Sequence, residues 1–229
     1  MVKLSPKLVI FDVDGVLVDV HGSYHRSILD TVKHFTGRRF TYAHIQQWKS
    51  RSGYNDDWRL STDWINSAGG NVQYEEVKRV FQKIYWGANG MRGNVWRERW
   101  LVSPRLLERW AGRAELALFT GRTRRELRHT LEHFGVKKLF RRVVTMDDVE
   151  NLKPHPEGLL RLVDGTNLND ALYLGDNLDD ALAAKSAGVP FLGVLPHGSE
   201  AHRVRAAQLR EGGARIILHS TSELEKHWK

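Results

Sequence analysis

Two carboxylates one residue apart, Asp12 and Asp14, followed by Gly15, are the first residues of this chain that could do chemistry. On an extended backbone an Asp-x-Asp pair points both side chains to one face, because strand side chains alternate. Such a pair suits a divalent cation held together with a phosphate, and an ionised aspartate is also a nucleophile toward phosphorus. The glycine permits a sharp turn directly after them. Further polar residues recur along the chain: Thr120-Gly121 after an apolar run, Lys153 before Pro154, and Asp176, Asp179 and Asp180 in Gly175-Asp176-Asn177-Leu178-Asp179-Asp180.

The elements that must carry these residues follow from hydrophobic spacing. Val9-Ile10-Phe11 reads as a buried strand ending at the aspartates. Ser23 to Phe35 then carries a helical stripe, Ile28, Leu29, Val32 and Phe35, that Gly37 ends, and Thr41 caps a second helix to about Trp48. Asp57 to Ala68 and Tyr74 to Trp86 predict two more helices, and no strand pattern interrupts them. Trp48, Trp58, Trp64 and Trp86 supply apolar surface for a separate small core, and read as core rather than as stacking platforms. Residues 20–93 are therefore expected to form an inserted helical domain, with the glycine-rich stretch 87–93 as the return linker.

From Ser103-Pro104, an N-cap and first helical position, helices and strands alternate. Strands are predicted at Glu115 to Phe119, Val143-Val144, Ala171 to Leu174, Phe191 to Val194 and Arg215 to Leu218. Thr123 and Glu126 have capping-box spacing for a helix to Phe134, and Asn177 to Ala187 predicts another. The fold class is α/β: a Rossmann-like parallel sheet with helices on both faces, formed by residues 1–19 and 94–229, with the helical insertion between them. In such sheets functional groups gather at the carboxyl ends of the strands, which is where Asp12, Asp14, Thr120 and Asp176 fall.

Asp12-Val13-Asp14-Gly15-Val16-Leu17-Val18-Asp19, Phe119-Thr120-Gly121, Lys153-Pro154 and Gly175-Asp176-Asn177-Leu178-Asp179-Asp180 resemble, in order, the four motifs of the haloacid dehalogenase superfamily. The resemblance covers almost the whole chain. The helical insertion is similar to that superfamily's type 1 cap, and Asp147-Asp148-Val149 ahead of Lys153 is similar to its phosphoglycolate-phosphatase-like branch. The resemblance implies an aspartyl-phosphate mechanism, with Asp12 as nucleophile and Asp14 as acid and base. It implies Mg²⁺ on Asp12, the Asp14 main-chain carbonyl and Asp176, with Thr120, Gly121 and Lys153 on the phosphate oxygens. Asp180 rather than Asp179 is assigned a place in the metal shell or in orienting Lys153. True dehalogenases of the superfamily lack the second motif aspartate, so Asp14 argues for phosphoryl chemistry.

Other polar residues carry competing readings. Asp147 and Asp148 are favoured as loop or helix caps, Asp19 as a structural residue, and Arg122 as either a substrate contact or part of a basic face with Arg124, Arg125 and Arg128. Arg51 and Asn55, in the polar stretch Lys49 to Trp58, are the cap's candidate specificity residues; a plain surface loop is the alternative.

The 229 residues, 41 % of them hydrophobic, can bury a sizeable core. No cysteine is present, which excludes disulfides and thiolate chemistry. No apolar run is long enough to span a bilayer, and the first strand begins too early to leave room for a signal peptide, so a cytoplasmic location is expected. The expected activity is a Mg²⁺-dependent phosphatase acting on a small phosphorylated metabolite. A phosphomutase of the β-phosphoglucomutase type, suggested by Tyr24-His25, is one alternative. A nucleic-acid-binding module or polynucleotide-end phosphatase is another; the net charge of +8 allows it, but no aromatic-basic recognition motif supports a nucleic-acid partner. Nothing in the sequence points to an oligomeric state.

Overall fold

The structure, a computed structural model, describes residues 4–196 and 200–229. In chain order the elements are β1 (Leu8–Phe11), β2 (Val18–Asp19), α1 (Arg26–Thr36), α2 (Tyr42–Lys49), α3 (Asp57–Ser67), α4 (Tyr74–Trp86), β3 (Arg99–Trp100) and α5 (Pro104–Ala111). There follow β4 (Glu115–Phe119), α6 (Arg124–His133), β5 (Arg142–Val144), α7 (Glu157–Val163), β6 (Ala171–Gly175), α8 (Leu178–Ala187), β7 (Phe191–Val194), α9 (Glu200–Glu211), β8 (Ala214–Leu218) and α10 (Leu224–His227). A turn of π-helix, His21–His25, runs straight into α1, so the helical segment begins two residues before the predicted start at Ser23. The two-residue strands β2 and β3 are too short to carry a periodic signal, and the sequence reading missed them.

By its internal contacts the chain divides into two compact units, residues 19–99 and the remainder. The larger unit is built on a six-stranded sheet in the order β5-β4-β1-β6-β7-β8, all of whose pairings are parallel. Central β1 is buried on both faces, with every residue at most 2 % exposed, and so it reads as an unbroken apolar run. Leu8 and Ile10 pack with Ala117, Phe119, Tyr173 and residues of α7 and α8. On the other face Phe11 stacks on Trp110 of α5, which stacks in turn on Trp228. Burying a side chain such as Phe11 contributes about 1.5–3 kcal/mol, and this two-sided burial fixes β1. Helix α7 lies close to β4: a Cβ at Gly158 would meet Phe119 Cε2 at 2.1 Å, so only glycine fits there.

The unit of residues 19–99 is helical. Its core gathers Ile28, Val32, Ile45, Leu60, Ile65, Val77 and Phe81, all with no exposed surface, with Trp58 and Trp64 buried beside them. Tyr24 is part of this packing, its ring 4.6 Å from that of Tyr85. Asp19 pairs with Arg99 and accepts the His21 N–H, which ties together the two ends of the unit. Among the described residues no helix is long and apolar enough to cross a membrane.

Candidate active site

The carboxyl ends of β1, β4 and β6 converge as the alternating pattern requires. Asp12 follows β1 directly and is almost entirely buried. The Asp14-Gly15 turn returns the chain, Gly15 taking φ +77° and donating its N–H to Val18 O. A Cβ at Gly15 would lie 2.3 Å from Asp176 Oδ2, so this glycine permits both the left-handed turn and the approach of the first and fourth motifs.

Lys153 joins these elements. Its Nζ donates to Asp12 Oδ1 at 2.8 Å, Asp180 Oδ1 at 2.7 Å and Phe119 O at 3.0 Å, so all three of its N–H bonds are used. Burial alone would lower the affinity of this ammonium for its proton, but Asp12 and Asp180 outweigh it and hold the lysine above its ordinary range. Asp12 is pushed well above the usual carboxylate range, chiefly by burial and further by Asp180, Asp14 and Asp176, with Lys153 opposing.

Asp180 is saturated. Its Oδ1 accepts from Lys153 and from the Tyr173 hydroxyl at 2.6 Å, and its Oδ2 from the N–H groups of Asp176 and Asn177 at 3.1 and 3.3 Å. These bonds occupy the four acceptor positions of a carboxylate, so Asp180 orients Lys153 and pins the loop that presents Asp176. Asn177 caps α8 by accepting the Asp180 N–H at 3.0 Å, which brings Asp180 rather than Asp179 to the lysine. Tyr173 was legible only as strand core, although strand alternation places it on the face of Gly175, where a Cβ would meet Asp180. Burial first, and Asp180 second, hold the Tyr173 hydroxyl protonated as a donor.

Thr120, buried after β4, accepts the Arg122 N–H at 3.2 Å, and Gly121 lies between them in the turn before α6. Arg122 is not part of the basic face formed by its neighbours. Its guanidinium is fully buried and donates to Asp14 Oδ1 from Nε at 2.9 Å and Nη2 at 2.6 Å. Arg124, by contrast, is exposed and pairs with Asp148. Asp148 also accepts from the Thr145 hydroxyl and N–H, and Asp147 from the Arg124 N–H, so both are loop caps. Arg205 on α9, not singled out from the sequence, donates to the Asp176 main-chain O at 2.9 Å.

Oxygens of Asp12, Asp176 and Asp180 lie within 4.8 Å of one another, those of Asp180 already engaged by Lys153, Tyr173 and the Asp176 loop. A donor set of oxygens without His or Cys fits a hard cation such as Mg²⁺ rather than a softer metal. The carboxylate of Asp14 is engaged with Arg122 and lies outside that cluster. In the helical unit, Arg51 is exposed with its guanidinium 4.8 Å from the Trp48 ring centroid, and Asn55 is half-buried just before the α3 N-cap.

Residues 6–188 match the model of the haloacid dehalogenase-like hydrolase family. The chain is 32 % identical over 195 residues to an imidazoleglycerol-phosphate dehydratase of Phytophthora nicotianae, covering 81 % of this chain and 42 % of that protein. It is 27 % identical over 191 residues to phosphoglycolate phosphatase 1 of Pseudomonas aeruginosa, covering 80 % of this chain and 67 % of the relative. The chain thus spans less than half of the first relative and about two thirds of the second. A crystal structure of a predicted phosphoglycolate phosphatase from Haemophilus somnus 129pt superposes with a TM-score of 0.76 at 23 % identity, over 97 % of both chains, a likeness of fold. The chain belongs to the haloacid dehalogenase-like hydrolase family.

Proposed function

We propose that the protein is a Mg²⁺-dependent phosphatase that hydrolyses a small phosphorylated metabolite through a phosphoryl group carried on Asp12. The observation that carries this reading is the buried Lys153 ammonium, held between Asp12 and Asp180 beside the Thr120-Gly121 turn. A fixed cation next to a buried carboxylate, at the open ends of parallel strands, suits an anionic group attacked by that carboxylate.

In the first step an Asp12 carboxylate oxygen attacks phosphorus. The ester P–O bond breaks, and its electron pair goes to the leaving oxygen, which takes a proton from Asp14 and departs as the alcohol. Water then attacks the phosphorus of the acyl phosphate and gives a proton to Asp14. The acyl P–O bond breaks, its pair returns to Asp12, and inorganic phosphate is released. Lys153, the Thr120 hydroxyl and the Gly121 N–H hold the non-bridging oxygens as charge shifts among them. Asp12, Asp176 and the Asp14 main-chain carbonyl would hold the Mg²⁺, which offsets repulsion between the carboxylate and the phosphate dianion. Asp180 serves by orienting Lys153 and the Asp176 loop.

Residues 19–99 act in this reading as a cap that selects the leaving group, with Arg51 and Asn55 as its specificity residues. Phosphoglycolate, named in the Pseudomonas relative, is the first substrate to try. The test measures phosphate released from a panel of phosphate monoesters, with Mg²⁺ and after chelation, for the parent and Asp12→Asn. Release should require the metal, return when Mg²⁺ is restored and fall to background in Asp12→Asn. Metal-independent turnover, or full activity of the variant, contradicts the mechanism; isomerised sugar phosphate with little free phosphate assigns a mutase instead.

A further inference from the structure

We propose that Arg122 is a positioning residue for proton transfer: it commits one oxygen of Asp14, leaving the other as the single atom that gives and takes the proton. This inference rests on the acid-base role proposed above for Asp14. Both hydrogen bonds from Arg122 to Asp14 fall on Oδ1, and among the described residues none falls on Oδ2. The guanidinium has no exposed surface, whereas the Asp14 side chain keeps 31 % of its own. Arg122 therefore acts from behind Asp14 and does not itself meet substrate.

The arginine is held on several sides. Its Nη1 donates to the Thr130 hydroxyl on α6, its N–H to Thr120 Oγ1, and its carbonyl accepts the Met146 N–H at 3.1 Å. The Thr120 hydroxyl that receives this N–H is the one proposed to contact phosphate. One residue thus links the phosphate-holding turn to the proton-transferring carboxylate, and their spacing is set by a side chain that cannot move without breaking several buried bonds. A lysine retains the charge but is a single point donor and cannot reproduce the two-nitrogen grip.

The consequence is selective. An alkyl ester needs a proton on its leaving oxygen when the P–O bond breaks, whereas 4-nitrophenolate leaves as the anion. The value of kcat/KM reports this step, because it includes everything up to the first irreversible event. Misplacing a proton donor by about 1 Å can cost about 10²-fold, and general acid catalysis contributes about 10²–10⁴-fold.

The experiment compares kcat/KM for phosphoglycolate and 4-nitrophenyl phosphate, with Mg²⁺, in the parent, Arg122→Lys, Thr130→Val and Asp14→Asn, with a thermal melt of each. Arg122→Lys should lose about tenfold or more on the alkyl ester and no more than about threefold on the nitrophenyl ester, and Thr130→Val should show a smaller split of the same sign. An equal loss on both esters, or none, overturns the positioning role. Should Arg122→Lys fail to fold, Thr130→Val decides by the same criterion. Asp14→Asn separates the two readings: if it shows no split, the acid role of Asp14 fails, and if it shows one while the Arg122 and Thr130 variants do not, only the role of Arg122 fails.

Discussion

Lys153 has its charge balanced by Asp12 and Asp180, and each carboxylate in turn depends on it for relief from burial. Lys153→Met should therefore do more than abolish the phosphate binding proposed for it. Removing one partner of a buried ionic group leaves uncompensated charge, so the variant should be destabilised by about 3 kcal/mol or more, as urea unfolding would measure. Unchanged stability would mean that the carboxylates find other partners. Asp12, Asp14, Thr120 and Asp176 were legible because residue type, order and strand-end position coincide in them, and Lys153 because it stands before Pro154 at its place in the motif order. The sequence did not reveal Tyr173 as part of the candidate site, and it left Arg122 open between a substrate contact and a basic face. A tyrosine in an apolar strand reads as core, and its hydroxyl meets Asp180 only once β6 and α8 pack. An arginine among arginines fits a solvated face as well as a site, and the turn after β4 sends Arg122 inward while Arg124 remains exposed.

Elements were read best where a local cap fixes them. Thr123 with Glu126 and Asn177 with Asp180 close capping boxes, and Ser103 accepts the Leu106 N–H before Pro104. The start of α3 was read correctly from its spacing, but the residue that secures it is Asp56. One Asp56 oxygen accepts the N–H groups of Trp58 and Arg59, at 2.8 and 3.1 Å, while the other accepts the Tyr74 hydroxyl at 2.8 Å. One carboxylate thus caps α3 and fastens the first turn of α4 to it, a contact that sequence spacing does not report. Burial first, and the Asp56 charge second, push the Tyr74 hydroxyl well above its usual range, so it remains a donor. Asp56→Ala should destabilise the protein by about 1–2 kcal/mol, and Tyr74→Phe by about 1 kcal/mol, in denaturant titrations. Equal stability of Asp56→Ala and the parent would refute the capping role.

At the scale of the molecule, acid sensitivity follows from carboxylates that folding holds ionised. Glu223 is lowered from 4.5 to about 2, first by the Lys226 ammonium and then by the His219 N–H. Glu225 is lowered first by the Trp110 indole N–H, which joins α10 to α5. A group whose folded pKa is depressed contributes stability that is complete above its unfolded pKa and is lost as the pH falls through its folded one. For Glu223 the loss runs from about pH 4.5 down to 2. Asp12, raised by burial, acts in the opposite sense, so a comparison of variants isolates the effect: Glu223→Gln should lose less melting temperature than the parent across that window and match its slope at neutral pH. Identical acid slopes would exclude Glu223 as a contributor.

The central proposal is that Asp12 carries the phosphoryl group. The most direct test quenches the enzyme during turnover of phosphoglycolate, reduces it with borohydride and sequences the peptide containing residue 12 by mass spectrometry. An acyl phosphate on Asp12 should be converted to homoserine at that position, in the parent but not in Asp12→Asn. Turnover that leaves Asp12 unreduced, or reduction at another carboxylate, would contradict the account.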